Sequence, residues 1–355
     1  MGSTSTPEGR GRLAAYFGAR PILVLLLFSP GLVEYLSGSS PLTNLVLNPP
    51  FFVFQVLLNA GLYGPGVLLI REAKIRWKKG WATVLLLGLA YGILEEGIAL
   101  STMFNPTSSP VVSSGLSGYG QYAGVNWVWA SQIDIIHALF SISVPILLLD
   151  LTLPETQGRT LLSGRKIPLT FAIWGVDVVL LNIIVWKWAG FWAGVPSIIG
   201  ALLVISLFIA AARLVPRNLL APRSDLPHSR PAVLAVVGFL FYLGLVFSAA
   251  ISKAQLLPPS VAIAGYLVVG AAALLWVLWN IGRRQNERQV VALIGGLFIF
   301  IQLVGIVSQI TLPLVLGADA AFLLFLRWLW KEYSGGNQGA ESEMPRDASS
   351  LPAEV

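Results

Sequence analysis

Two glutamates stand side by side in an otherwise apolar stretch, Tyr91-Gly92-Ile93-Leu94-Glu95-Glu96-Gly97-Ile98-Ala99. Two adjacent carboxylates are costly to ionise together in a low dielectric. They must share a proton, bind a cation or pair with a base. A base is available in the next apolar stretch, where His137 follows Asp134 by three residues. On a helical wheel Asn126, Asp134, His137 and Ser141 fall within about 80° of one another, so the aspartate is placed to orient or charge the imidazole. In the first stretch Gly88, Tyr91, Gly92, Glu95, Glu96, Ala99 and Thr102 share an arc of roughly 140°. That face is polar or small, which suits close helix packing or a cavity. Glu95, Glu96 and His137 therefore form a candidate water-activating group, with Asp134 behind the imidazole, or the ligands of a divalent metal. The chain has no cysteine, so a thiolate metal site, a cysteine nucleophile and a disulfide framework are excluded.

The elements that carry these residues are membrane spans. Of the 355 residues 55% are hydrophobic and 11% charged, against about 25% charged in an ordinary soluble domain, and the mean hydropathy is +0.76. Apolar runs of about 20 residues, long enough to cross a bilayer, lie near 21–38, 51–70, 81–103, 124–149, 168–188, 194–212, 232–251, 259–280, 290–309 and 312–330. The expected fold is an all-α bundle of about ten transmembrane helices. With the N-terminus inside, every one of the 23 Lys and Arg residues except Lys187 and Lys253 falls on inner segments, the distribution that sets topology in membrane proteins. Both termini are then cytoplasmic. Trp77, Trp81, Trp276, Trp279, Trp328 and Trp330 mark the inner interface, and Trp127, Trp129, Trp186, Trp188 and Trp192 the outer one. The first apolar run reads as an uncleaved span rather than a signal peptide, because its removal would put the topology out of phase.

Residues 1–330 read as the bundle, with a division at the Pro-rich cytoplasmic loop 214–231, and 331–355 as a disordered cytoplasmic tail rich in Gly, Ser, Glu and Pro. The uncharged outer loop 104–122 reads as a lid or as a connector. The net charge of +6 is dispersed over six inner segments and forms no dense patch, so nucleic-acid binding is not indicated. These basic loops are instead expected to meet anionic lipid headgroups. No phosphate-binding glycine loop stands out, and the plasma membrane is the default location.

Charges at bilayer depth cost about 2.5–3.5 kcal/mol each on insertion scales and call for a partner or a function. Glu34 in the first span lies at a depth similar to Glu95 and Glu96, Asp177 in the fifth lies near His137, and Asp319 in the tenth lies in the outer half. Pro30-Gly31 and Gly64-Pro65-Gly66 are expected kinks.

The glutamate pair followed by a histidine-bearing helix resembles the CAAX-protease and bacteriocin-processing family of intramembrane proteases. Glu95-Glu96 matches the first motif of that family and His137 its first histidine. The position of the family's arginine holds Leu100, the position four before His137 holds Ile133 where the family has Phe, and no later span contains histidine. The resemblance covers residues 85–145 and implies glutamate and histidine activating water, with or without a metal. The segment Leu69-Ile70-Arg71-Glu72 through Lys79-Gly80-Trp81 to Glu95-Glu96-Gly97 also resembles uncharacterised prokaryotic polytopic membrane proteins. Three functions follow from the residues: an intramembrane hydrolase, a proton- or cation-coupled transporter of a small solute using Glu34, Glu95, Glu96 and Asp134, and a non-catalytic membrane subunit whose polar stripes hold partner helices.

Overall fold

The computed structural model describes residues 20–221, 229–281, 286–308 and 312–342. Among these residues helices occupy each of the ten predicted spans. They are α1 (Pro21–Tyr35), α2 (Pro49–Arg76), α3 (Trp81–Ala99), α4 (Trp127–Thr152) and α5 (Lys166–Ala189), followed by α6 (Gly194–Leu214), α7 (Pro231–Lys253), α8 (Pro259–Asn280), α9 (Glu287–Ser308) and α10 (Leu312–Ser342). Eight of them, all but α1 and α9, are long and apolar enough by composition to cross a membrane, and α1 is a shorter apolar helix. The multi-pass membrane protein expected from composition is the fold observed.

Burial ranks the helices. In the apolar windows of α3 and α4, 67% and 72% of residues are buried, against 11–28% in α5, α6, α7, α8 and α10. The peripheral helices expose rows of large apolar side chains such as Leu169, Phe171, Ile173 and Val176 on α5. A surface of that kind suits hydrocarbon, which is as apolar as leucine. The central pair α3 and α4 is wrapped by the others. α1 and α2 pack on α4, α6 packs on α3, α5 packs on α2 and α3, and α8 packs on α4. α7 lies along α9, which pairs with α10.

Small residues set the closest approaches. On α3, Gly88 and Gly92 are one turn apart and both face α4. A Cβ at Gly88 would lie 2.8 Å from the Ala138 Cα, and one at Gly92 would lie 2.6 Å from the Asp134 Oδ1 and 3.3 Å from the His137 Cβ. This is the small-xxx-small packing by which membrane helices bring backbones together. Gly296 on α9 does the same against the Ala235 carbonyl on α7.

Three helices widen locally to π geometry, with i→i+5 backbone bonds. Leu36 N–H donates to Gly31 O in α1, Leu100 N–H to Glu95 O at the end of α3, and Val144 N–H to Leu139 O in α4. The widened segments are Gly31–Tyr35, Ile93–Ala99 and His137–Ser143. Such bulges concentrate at functional sites because they re-aim side chains out of the regular ladder.

The connection after α3 is packed rather than loose. Val111 and Leu116 are fully buried. Gln121–Tyr122 pairs antiparallel with Val125–Asn126, and Tyr119 Oη donates to Leu257 O at 2.5 Å. The connection thus forms a packed cap over this end of the bundle. At the other end, the turn after α4 is clamped to α2. Arg71 donates to Thr156 O at 2.6 Å and to Arg159 O at 3.1 Å, while Glu72 accepts from Leu161 N and Leu162 N and pairs with Arg76. The last helix runs on to Ser342, so residues 331–342 of the predicted tail are helical. The remainder of the tail, residues 343–355, and residues 222–228 of the predicted dividing loop lie outside the described residues.

Candidate active site between the central helices

The widened segments of α3 and α4 face each other where Gly88 and Gly92 let the backbones approach. His137 is the meeting point. Its Nε2 lies 3.1 Å from Glu96 Oε1, and its Nδ1 lies 2.9 Å from Ser141 Oγ and 3.2 Å from Glu95 Oε2. All four residues are buried. Ser141 can serve the ring in either protonation state, since its hydroxyl donates to a bare Nδ1 and accepts from a protonated one.

Glu96 is fully satisfied. Its Oε2 accepts from the Thr102 hydroxyl, which in turn accepts from Trp129 Nε1 at 3.0 Å. Glu95 is not. Its Oε1 accepts from the Tyr63 hydroxyl, whereas Oε2 is buried and makes no hydrogen bond, despite its distance from Nδ1. A buried acceptor without a donor is costly, and it leaves Glu95 Oε2 room in its bonding for water, a proton or a cation. Tyr63 on α2 also reaches Glu34 Oε1 at 2.5 Å, and Glu34 Oε2 accepts from Ser40 Oγ at 2.6 Å. The phenol has one hydrogen and two carboxylate neighbours. All contacts of Glu34, Tyr63 and Glu95 are hydrogen bonds when one of the two glutamates carries a proton. A continuous chain of polar groups thus runs Ser40–Glu34–Tyr63–Glu95–His137–Glu96–Thr102–Trp129.

Glu95, Glu96 and His137 also have the makeup of a metal site. One ligand atom from each lies within 4.8 Å of the other two. Glu95 lies against Nδ1 of the ring and Glu96 against Nε2, so a shared ion would take one of these nitrogens and draw the other carboxylate to it. The unpartnered Glu95 Oε2 fits the same reading. The donor set is two carboxylates and one imidazole, three oxygen and nitrogen ligands of the kind that divalent ions take.

The other predicted residues divide. Ser141 and Glu34 join the cluster. Asp134 packs its Oδ1 against Gly92 without a hydrogen-bond partner, and its charge still acts on the ring through space, but it makes no hydrogen bond to the imidazole, which is bonded by Ser141 and Glu96. The reason is that both ring nitrogens point across to α3 or along α4 to Ser141, a choice that residue spacing leaves open. Asn126 is a helix cap. Its side chain accepts from Trp129 N at 3.0 Å and donates to Leu116 O at 2.7 Å. Asp177 packs on Gly61 of α2. Asp319 is buried between α9 and α10, where Gln302 donates to its backbone carbonyl. Sequence reading overlooked Tyr63 and passed over any partner for Thr102. The signal at Tyr63 is a phenol inside an apolar span, beside the expected Gly64-Pro65-Gly66 kink, where a hydroxyl must find a partner.

No curated protein and no solved structure matches the chain. A family model does match it over residues 23–330, which takes in all the helices described except the first residues of α1 and the end of α10, and by that match the chain belongs to an uncharacterized membrane protein family.

Proposed function

We propose that the protein is an intramembrane hydrolase that cleaves an amide or ester bond in a substrate held within the bilayer. The observation that supports it is the meeting of Glu95, Glu96 and His137, from two different helices, around a buried Glu95 oxygen that makes no hydrogen bond and has His137 Nδ1 beside it at 3.2 Å. In this reading water binds at Glu95 Oε2. Glu95 takes a proton from it as the hydroxyl oxygen attacks the substrate carbonyl. His137 gives a proton to the leaving amine or alcohol, and its ring is held for that transfer by Glu96 and Ser141. Positioned acid–base groups of this kind contribute about 10²–10⁴-fold. Glu34 and Tyr63 keep Glu95 Oε1 occupied, which leaves Oε2 as the atom facing the water. A divalent ion, if one is used, would be held by Glu95, Glu96 and His137 and would make the bound water more acidic. The plasma membrane is the proposed location.

The test uses purified protein in liposomes with a panel of lipid-anchored fluorogenic peptides and esters. Wild type cleaves at least one, and Glu95→Gln or His137→Ala lowers turnover by about 10²-fold or more. Asp319→Asn, remote from the cluster, retains turnover. Full activity in Glu95→Gln would sink the reading, as would no cleavage by wild type across the panel. A chelator arm reports whether a metal takes part.

A second reading is supported by the polar chain from Ser40 to Trp129, in which protonable groups succeed one another within hydrogen-bond reach. Such chains carry protons in membrane transporters. It predicts pH-dependent solute flux in proteoliposomes, and flux unchanged when Glu34, Glu95, Glu96 and Asp134 are all neutralised would exclude it.

A further inference from the structure

A second polar site lies at the basic end of the bundle. Asp150, which lines it, is thirteen residues beyond His137 on α4, about 20 Å along a helix rising 1.5 Å per residue. There a cavity of about 370 Å³ is lined by Arg71, Lys74, Lys78, Lys79 and Arg217, with Asp150 as its acidic residue. We infer that this cavity binds a phosphate group, from the headgroup of an anionic lipid or from a soluble phosphate.

A rule that places Lys and Arg on one side of a membrane accounts for basic residues at this end. It does not account for the burial of Arg71 beneath the others. Arg71 is only 1% exposed. Two of its nitrogens are spent on the Thr156 and Arg159 carbonyls, while its Nε is buried and has no partner. An unsatisfied guanidinium N–H is costly in the interior and suits a phosphate oxygen, which Arg recognises well. The neighbouring acid cannot neutralise it. Both oxygens of Glu72 are taken, by Arg76 and by the amides of Leu161 and Leu162. Among the described residues, none of the five cations makes an ion pair within 4 Å. Asp150 opposes five positive charges with one negative.

The cavity is also shaped by its surroundings. Lys74 Nζ lies 4.0 Å over the Trp81 ring, and Lys79 Nζ donates to Val215 O at 2.9 Å. Gly80 admits the chain from the α6 end: a Cβ there would lie 2.3 Å from the Arg217 carbonyl oxygen. Lys78 is the left-handed residue, φ 54°, that ends α2, with Lys78 N–H on Ile75 O and Lys79 N–H on Lys74 O, and this turn carries Lys78 and Lys79 to the cavity edge. Charge-assisted bonds to phosphate are the strong class of hydrogen bond, and this cavity offers several from separate segments at once.

Two arms distinguish the source. In the first, the full-length protein is reconstituted in nanodiscs of mixed phosphatidylglycerol and phosphatidylcholine, extracted, and weighed by native mass spectrometry. In the second, its thermal midpoint in detergent is followed against sodium phosphate and against sodium chloride at matched ionic strength. A retained phosphatidylglycerol identifies a lipid headgroup, and stabilisation by phosphate but not chloride identifies a soluble anion. Either result supports the site when the double variant Lys74→Gln, Lys78→Asn weakens it about tenfold or more. Those two side chains carry no clamp of the fold, and Arg217→Gln serves as an independent second variant. Wild type that neither retains phosphatidylglycerol nor distinguishes phosphate from chloride overturns the inference, as does undiminished binding in both variants.

Discussion

Replacing Gly88 by alanine tests the contact on which the candidate site depends. The added Cβ would stand 2.8 Å from the Ala138 Cα, 3.1 Å from its Cβ and 3.3 Å from its carbonyl oxygen. No flexible side-chain end is available to move aside. To restore even the 3.4 Å lower edge of ordinary contact, α3 and α4 must part by about 0.6 Å. Ala138 follows His137 directly, so the imidazole moves with it. The Glu96–His137 contact, now 3.1 Å, would stretch to about 3.7 Å, outside hydrogen-bond range. Overpacking costs about 1–3 kcal/mol, and loss of a hydrogen bond to a charged group adds about 1.5–3 kcal/mol. Gly175→Ala on α5 is the control. That position faces open space, and alanine there is neutral or stabilising by up to about 1 kcal/mol. The assay is unfolding in detergent followed by tryptophan fluorescence, with Glu96→Gln as the second arm of a double-mutant cycle. Gly88→Ala should lower stability strongly, and Glu96→Gln should cost less in its presence than in wild type. Equal stability of the Gly88 and Gly175 variants, or strict additivity with Glu96→Gln, would refute the close-approach reasoning.

Three other outcomes follow from the contacts described. Tyr63→Phe removes the hydroxyl between Glu34 and Glu95 and should destabilise by about 1–3 kcal/mol; a thermal midpoint at the wild-type value would show that the phenol bridges nothing. Glu72→Gln weakens the hold on Arg76 and on the Leu161 and Leu162 amides. It should raise the rate of proteolytic nicking in the 153–165 turn, and an unchanged cleavage pattern counts against the clamp. Asn126→Ala removes the cap of α4 and the bond to Leu116, at a cost of about 1 kcal/mol for the cap alone, read as faster hydrogen exchange at Trp129 N.

The membrane class and the positions of the ten helices were legible from the sequence. Their cause is one-dimensional: a bilayer of fixed thickness selects apolar runs of fixed length, and the lysines and arginines between the runs alternate in density. The glutamate pair was legible too, because charges are rare at bilayer depth. Helical periodicity put Gly88 and Gly92 on the same face as Glu95 and Glu96, and that face does meet α4. The tertiary structure decided what met what. Asp134 and Ser141 both share a helix face with His137, and only the packed structure shows that the hydrogen bond to the ring comes from Ser141 while Glu96 reaches it from α3. Tyr63 reaches Glu95 from α2, and Glu34 joins it through Tyr63 from α1, two contacts each between residues some thirty positions apart that no local periodicity encodes. The basic cavity has the same origin. Arg71, Lys74, Lys78 and Lys79 are neighbours in sequence, but Arg217 and Asp150 join them because Gly80 lets one chain segment cross another. Spacing along a helix specifies direction, and the distance between side chains on different helices exists only once the helices have packed.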